Sequence, residues 1–391
     1  MSAGRPRHVL FLNRRDTTHP EGGGSEVFLE RAGSELVELG WQVSVACERY
    51  PGSAAVEDRD GVRILRAGTG LGLYRRTLTG LLRGTYGQVD VVVDVQNGMP
   101  FCSPLATRVP VVNLVHHVHR EVWPVVMPPL QARLGWFAES RVAPRVYRHH
   151  RYVAVSPATR DELVGLGVPA ASITVVHNGT DVPLPTGTPR AGDPTVLAVS
   201  RLVPHKRLDV AVRAVAQLRH EMPRLRLVVA GSGYWEPELR ALVARLGVER
   251  EVDLTGWVSE ERKHRLMAQA WVMAMPSLKE GWGLSVIEAA AHGTPSVAFT
   301  GAGGLSDSIV DGETGLLVDG GQEEFTATLG GLLREPEVLG RMREAARVHA
   351  TGFTWPATAK SLHMVLEEAL ATGPTPRRPR SPRSGRPTGR S

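Results

Sequence analysis

The chain has 391 residues, 42% of them hydrophobic, which is globular composition and length enough for two domains with their own cores. Two cysteines, Cys47 and Cys102, exclude a disulfide scaffold and a four-cysteine zinc site and suit a reducing compartment. The net charge of +6 sits at the C-terminal end: residues 373–391 hold six arginines (Arg377, Arg378, Arg380, Arg383, Arg386, Arg390) and no acid, and without those six the chain has 40 basic against 40 acidic residues.

The first half alternates short apolar runs with helical segments. Residues 8–12 read as a buried strand. A glycine-rich loop follows, then a helix over about 25–39. Further strands are predicted at 42–47, 62–66, 90–95, 109–115, 152–155 and 173–176. Continuous Val, Ile and Leu runs between helices indicate a parallel sheet covered on both faces. Residues 183–194, with four prolines and two glycines, read as a linker. The pattern then restarts, with strands at 195–200, 226–230, 252–255, 272–275, 296–299 and 315–318. Helices are predicted at 208–218, 236–246, 260–269 and 284–292. The fold class is α/β: two doubly wound domains with a cleft between them, ligands lying beyond the strand C-ends. The terminal stretch, rich in Pro, Gly, Ser and Arg, is expected to be disordered. No aromatic residue interleaves with its arginines, so no nucleic-acid partner is expected. No run approaches the roughly 20 apolar residues that span a bilayer, and residues 1–7 show no apolar leader, so the expected location is cytoplasmic.

The chemistry concentrates at Glu280 and Glu288, eight residues apart in Lys279-Glu280-Gly281-Trp282-Gly283-Leu284-Ser285-Val286-Ile287-Glu288. They bracket a helix N-terminus, whose free N–H groups and dipole favour anions. Carboxylates accept hydrogen bonds from sugar hydroxyls. A diphosphate on the helix end with hydroxyl-bearing sugars on either side is the shape of a nucleotide sugar. Arg201 and Lys206 follow the first strand of the second half, where they can neutralise a diphosphate. Gly22-Gly23-Gly24 follows the first strand of the chain and lets backbone N–H groups approach a ligand. Its spacing is not the dinucleotide fingerprint. His116-His117-Val118-His119 ends a strand; a histidine there suits a sugar hydroxyl or a proton better than zinc, since no further ligand pair follows. Residues 71–83 and 121–151 combine apolar residues with arginines, either as core-facing helices or as a surface for an anionic membrane. Asn178-Gly179-Thr180 is a formal glycosylation sequon but reads as a turn.

Together these motifs resemble the retaining glycosyltransferases of family four, with the two-Rossmann GT-B architecture. The resemblance rests on the glycine loop, the strand-end histidine, Val175-Val176-His177-Asn178-Gly179-Thr180-Asp181, Ser200-Arg201 to Lys206, and Ala230-Gly231-Ser232-Gly233. It continues through Glu280-Gly281-Trp282-Gly283-Leu284 to Glu288, then Gly303-Gly304 and Gly312-Glu313-Thr314-Gly315-Leu316-Leu317-Val318. It implies an N-terminal acceptor domain (1–185), a linker (186–194), a donor domain (195–355) and a last helix (356–372) that crosses back before the tail (373–391). Arg201 and Lys206 would meet the donor diphosphate, with the N–H groups of Gly281, Trp282, Gly283 and Leu284, and Gly231 would belong to the donor-binding set. Glu288 would hold the ribose, and the backbone at Trp257-Val258 would face the base. Glu280 and His116, with His117 as the competing choice, would contact the donor sugar. Gly22, Gly23 and Gly24 would lie near phosphate or acceptor. Three departures stand out: Tyr234 where Pro is common, Asp307 where Glu is usual, and Trp282 for Phe, expected to narrow the pocket.

The implied reaction is transfer of a hexose from a nucleoside diphosphate sugar to an acceptor hydroxyl on an envelope lipid, polysaccharide or secondary metabolite. The resemblance implies retention and no metal or other cofactor, because the cations and the helix end neutralise the leaving group and no Asp-x-Asp is expected to hold a metal. The acid pair does not suit a glycosidase, whose carboxyls flank one bond about 5 to 9.5 Å apart. A sugar-nucleotide epimerase on the same fold and a non-catalytic sugar-nucleotide-binding protein are the alternatives. Partners would be the donor, an acceptor of lipid-linked type, and peripheral contact with the inner face of the membrane.

Overall fold

The computed structural model describes residues 5–181 and 188–373. Its first sheet contains β1 (His8–Leu12), β2 (Gln42–Cys47), β3 (Val56–Arg59), β4 (Val62–Arg66), β5 (Val91–Gln96), β6 (Val111–Val115), β7 (Arg151–Ala154) and β8 (Ile173–Val175). The spatial order is β3-β4-β2-β1-β5-β6-β7-β8. Only the β3–β4 pair is antiparallel. The second sheet holds β9 (Thr195–Val199), β10 (Arg226–Ala230), β11 (Val252–Gly256), β12 (Val272–Met275), β13 (Ser296–Phe299) and β14 (Gly315–Val318), in the order β11-β10-β9-β12-β13-β14 and all parallel. Each order reverses once, between β1 and β5 and between β9 and β12, which is where doubly wound sheets open a crevice.

Helices α1 (Gly24–Glu38), α2 (Leu71–Arg83), α3 (Trp123–Val126), α4 (Pro129–Phe137), α5 (Ala143–Val146) and α6 (Pro157–Gly165) belong to the first half. Those of the second half are α7 (Leu208–Leu218), α8 (Glu236–Leu246), α9 (Glu260–Gln269), α10 (Leu284–Ala291), α11 (Leu305–Ser308), α12 (Gln322–Arg334), α13 (Pro336–Ala350) and α14 (Trp355–Thr372). Alternate residues of β1 point to opposite faces: Val9 and Phe11 join a core with α1 and α14, whereas Leu10 and Leu12 join one with Tyr147 and Leu73. Thus α14, last in sequence, completes the core of the first sheet through Trp355, Leu362, Val365 and Leu366.

Some elements depart from the sequence reading. β3, with sequence VEDR, has no apolar signal; it forms because Asp60 and Gly61 adopt positive φ (48° and 79°) and fold it back onto β4. Residues 121–151 break into α3, α4, a π-turn (Ala138–Val142) and α5, with prolines at each restart. α6, α11, α12 and α13 have no counterpart in the sequence reading. The sequon is a buried junction: Thr180 N–H donates to Phe353 at 3.0 Å, and a Cβ on Gly179 would stand 2.3 Å from the Trp355 nitrogen. The predicted linker is described only from residue 188, and residues 374–391 of the predicted tail lie outside the described residues. No helix among the described residues is long and apolar enough to cross a membrane.

The halves meet through a small core of Val155, Trp282, Ile287, Ala290, Ala346 and Ala350. Around it, Asp307 accepts the Ala158 N–H at 2.9 Å, at the start of α6, and Lys279 pairs with Glu162.

Candidate active site

Because the strands run parallel, both sheets present their C-ends to the cleft, and the predicted residues converge there. The loop after β12 carries Glu280, held by Lys206 Nζ at 2.5 Å and by the Ser277 hydroxyl at 2.7 Å. The Leu278 N–H donates to the His205 carbonyl at 2.8 Å, which ties this loop to the turn that bears Lys206. Burial pushes the Glu280 carboxyl up, but the Lys206 charge and the Lys206 and Ser277 hydrogen bonds outweigh it and hold it below the usual range. Gly283 caps α10 at φ 84°, a left-handed conformation that a side chain resists, and so turns the chain into the helix. Glu288 lies on the second turn of α10, where Lys263 Nζ from α9 reaches it at 3.0 Å. Burial dominates here and raises the Glu288 carboxyl above its usual range, partly offset by Lys263.

Facing them, Gly23 and Gly24 open α1. The Arg201 guanidinium lies against Gly23, 3.5 Å from a built Cβ, and donates weakly to the Glu21 carbonyl at 3.4 Å. Gly22 is confined by the carbonyls of Asp16, Thr17 and His19, with the first only 3.0 Å from a Cβ. The loop is anchored below by the Asp16 carboxylate on the buried Arg66 guanidinium at 2.6 Å. Gly281 touches the opposite wall directly: a Cβ there would stand 2.1 Å from the His116 carbonyl oxygen. Gly231 is equally constrained, its φ of 141° leaving the chain against the Ser200 carbonyl.

The two histidines point differently. His116 packs edge-on against Phe28, 5.4 Å between ring centres, with Nε2 buried and unpartnered; burial pushes it down to about 3. His117 stacks on His119 at 3.9 Å and is held well below its usual range by burial, then by His119, Lys206 and His116. His117 is half-buried whereas His116 is buried, which leaves His117 the more accessible of the two. His119 is fixed in turn by the fully buried Glu139, whose carboxylate accepts the His119 and Trp123 side-chain N–H groups at 3.0 and 2.9 Å. Both histidines are therefore neutral at pH 7 and suited to hydrogen bonding rather than to charge.

Two expectations need correction. Trp282 does not narrow a donor pocket; its indole is 3% exposed and packs on His177 and Phe353 at 4.4 and 4.9 Å, in the seam between the halves. The chain also has one Asp-x-Asp, Asp58-Arg59-Asp60, which lies at the β3–β4 edge turn, away from the cleft. Trp257 stands 76% exposed after β11, so only its backbone is placed to line a pocket, with Val258 half-buried beside it. Tyr234 is exposed as well. Among the described residues no group of three or more His, Cys, Asp or Glu side chains could hold a metal ion. The sequence reading missed Lys263, Ser277, His205, and the positioning set His119–Glu139. Lys263 carried no signal of its own: it follows Arg262 in a first helical turn that Glu260 and Glu261 open.

Chemically, the site offers three cations, Arg201, Lys206 and Lys263, a helix N-terminus and two half-buried carboxylates, each paired with a lysine. A polyanion arriving at Lys206 would release Glu280 to accept hydroxyl donors.

Comparison with known proteins gives the family and the fold. Residues 186–349 match the model for glycosyl transferases group 1, and residues 22–183 that for Glycosyltransferase Family 4. A D-inositol 3-phosphate glycosyltransferase of Streptomyces griseus is 31% identical over 94% of this chain and 90% of its own length. The GDP-mannose-dependent alpha-(1-6)-phosphatidylinositol monomannoside mannosyltransferase of Mycolicibacterium smegmatis is 29% identical over 86% and 91%. The sucrose-phosphate synthase of Thermosynechococcus elongatus superposes with a TM-score of 0.80 at 20% identity, covering 94% of this chain and all of that one. The chain belongs to the group 1, family 4 glycosyltransferases and has their GT-B fold.

Proposed function

We propose that the protein transfers a hexose from a nucleoside diphosphate sugar to an acceptor hydroxyl, with retention at the anomeric carbon and without a metal. The observation that carries this reading is the double lysine–carboxylate arrangement about α10: Lys206–Glu280 before its N-terminus and Lys263–Glu288 within it. The diphosphate would sit on Arg201, Lys206 and the N–H groups from Gly281 to Leu284, with Glu288 on the ribose and the backbone at Gly231, Trp257 and Val258 around the nucleotide. As the glycosidic bond breaks, these donors meet the growing negative charge. Glu280 and a neutral histidine, His117 by its greater exposure or His116 by its position at the strand end, would orient the sugar. The seam at Trp282 would keep water from the reacting carbon.

A lipid-linked acceptor is supported by α4. Leu130, Leu134 and Phe137 are 70%, 60% and 58% exposed on one side of this short helix, with Arg133 and Arg141 beside them. Such a stripe suits an anionic membrane at the inner face of the cell membrane. The mannosyltransferase relative makes GDP-mannose a first donor to try, and inositol phosphates and phosphatidylinositol mannosides first acceptors. The test is to incubate enzyme, donor and acceptor with and without EDTA and to assign the product's anomeric configuration by NMR. A product with the donor's α configuration, unaffected by EDTA, is expected. An inverted product, an epimerised free donor, or EDTA-sensitive turnover would overturn the proposal.

A further inference from the structure

Lys279, the residue before Glu280, is a buried cation whose side chain is 6% exposed. Its stem runs under Gly303, whose φ is 67°; a Cβ built there would stand 3.1 Å from Lys279 Cε. The same turn fixes the backbone of Glu280, whose N–H donates to the Ala302 carbonyl and whose carbonyl accepts the Gly304 N–H, both at 3.0 Å. The ion pairs of the Lys279 ammonium lie across the seam, with Glu162 on α6 and with Glu121 at 3.9 Å.

α6 meets both walls of the cleft on one side. Ala158, Thr159 and Glu162 are spaced three and four residues apart, so they are neighbours on the helix surface. The Ala158 N–H donates to Asp307 of the second half at 2.9 Å. The Thr159 hydroxyl donates to the His116 carbonyl at 3.1 Å. That same carbonyl oxygen is the one against which Gly281 packs, 2.1 Å from a built Cβ. Glu162 takes Lys279. One short helix therefore holds the turn that carries Glu280 and the turn that carries His116 and His117.

An ion pair is not needed merely to close a seam, since neutral side chains of similar size often close it as well. What this pair adds is position: the ammonium must meet the carboxylate, which sets the Glu280 turn at one height against α6. We infer that Lys279 is a positioning residue, acting through Glu162 to hold the Glu280 turn and the His116–His117 turn at a fixed spacing across the cleft. Its effect on rate rests on the proposed transfer reaction; the coupling between the two turns does not.

The test takes Lys279→Met, Glu162→Gln and the double variant in the full chain. Kinetics use the GDP- or UDP-sugar that the wild type turns over. Each single variant should lower kcat about 10- to 100-fold, because the reacting groups are misplaced, while affinity for the matching nucleoside diphosphate stays within about threefold. The double variant should lose no more than the worse single one. Hydrogen exchange is read without substrate. The N–H groups of Leu278 and Glu280 on one wall, and of His119 and Val122 on the other, are hydrogen-bonded and so report local opening. Glu162→Gln should speed exchange about tenfold in residues 278–284, and Lys279→Met should do so in residues 116–122, each in the half without the substitution. Either variant decides the matter if the other fails to fold. A kcat loss matched by an equal loss of affinity, losses that multiply in the double variant, or faster exchange confined to the substituted half would overturn the inference. A wild type that transfers no hexose would overturn the transfer reading instead, and exchange would still decide the coupling.

Discussion

The two walls of the cleft are built on different principles. The donor wall is made of charges already paired with one another, Lys206 with Glu280 and Lys263 with Glu288, on loops and helices of one continuous sheet. The opposite wall presents neutral histidines and glycines, assembled from segments far apart in sequence. A wall of preformed ion pairs has its orientation fixed before the ligand arrives, which is what electrostatic stabilisation of a leaving group requires. A wall of small and apolar groups accommodates varied acceptors. On the proposed reading, donor chemistry would be rigidly set, while acceptor choice would be set by residues 16–21 and 121–151.

The comparison can be broken most directly at Lys206. On the proposed reading Lys206→Ala removes a diphosphate contact, and it leaves the half-buried Glu280 without its cation. The expected loss in kcat/KM is about 100- to 1,000-fold, read by steady-state kinetics, with the fold intact by circular dichroism. A loss under about tenfold would show that the pair is structural. Next in size, Glu288→Ala should weaken nucleotide binding by about 10- to 100-fold, measured by calorimetry, since it removes charge-assisted hydrogen bonds. Lys263→Met sharpens the same point through pH. Burial already lifts the Glu288 carboxyl, and without Lys263 it rises further. Nucleotide affinity, which needs the carboxylate, should then fall as pH drops from 7 to 5.5 more steeply than in the wild type.

Stability should also respond to acid. His116 and His205 are pushed down to about 3 and His292 to about 4, all chiefly by burial. Below about pH 6.5 the unfolded chain takes up protons that the folded chain refuses, so stability falls from there down to the folded values. The thermal midpoint should drop between pH 7 and 5, and His292→Gln, distant from the cleft histidines, should reduce that slope. The smallest effect is expected at α4. Replacing Leu130, Leu134 and Phe137 by Ser should change unfolding free energy by no more than about 0.5 kcal/mol per site, because these side chains are exposed. Sedimentation with anionic vesicles should nevertheless decrease markedly. If it does not, the apolar stripe does not serve the membrane.

The legibility of each wall follows the same division. The donor domain's strands and the α10 turn could be read because apolar runs, Gly283 and the charged residues are local in sequence. The halves' alternation of strands and helices likewise revealed the fold class. Lys263 escaped because its partner lies 25 residues away on another helix, and helical spacing reveals only i to i+4 neighbours. Trp282 was assigned to a pocket because its motif is a pocket motif; that its ring lies in the seam depends on His177 and Phe353, distant in the chain. The orientations of His116 and His117 were equally out of reach, since a strand end fixes alternation but not which face meets the cleft. The β3 hairpin had no hydrophobic periodicity to detect.

The central claim is that the two lysine–carboxylate pairs about α10 hold a nucleoside diphosphate. The direct measurement is a thermal-shift panel of UDP, GDP and ADP with their sugars, on the wild type and on Glu288→Ala. The account predicts that one base stabilises the wild type in a concentration-dependent way and that the variant loses this response. A panel in which no nucleotide shifts the wild type, or in which Glu288→Ala responds equally, would contradict it.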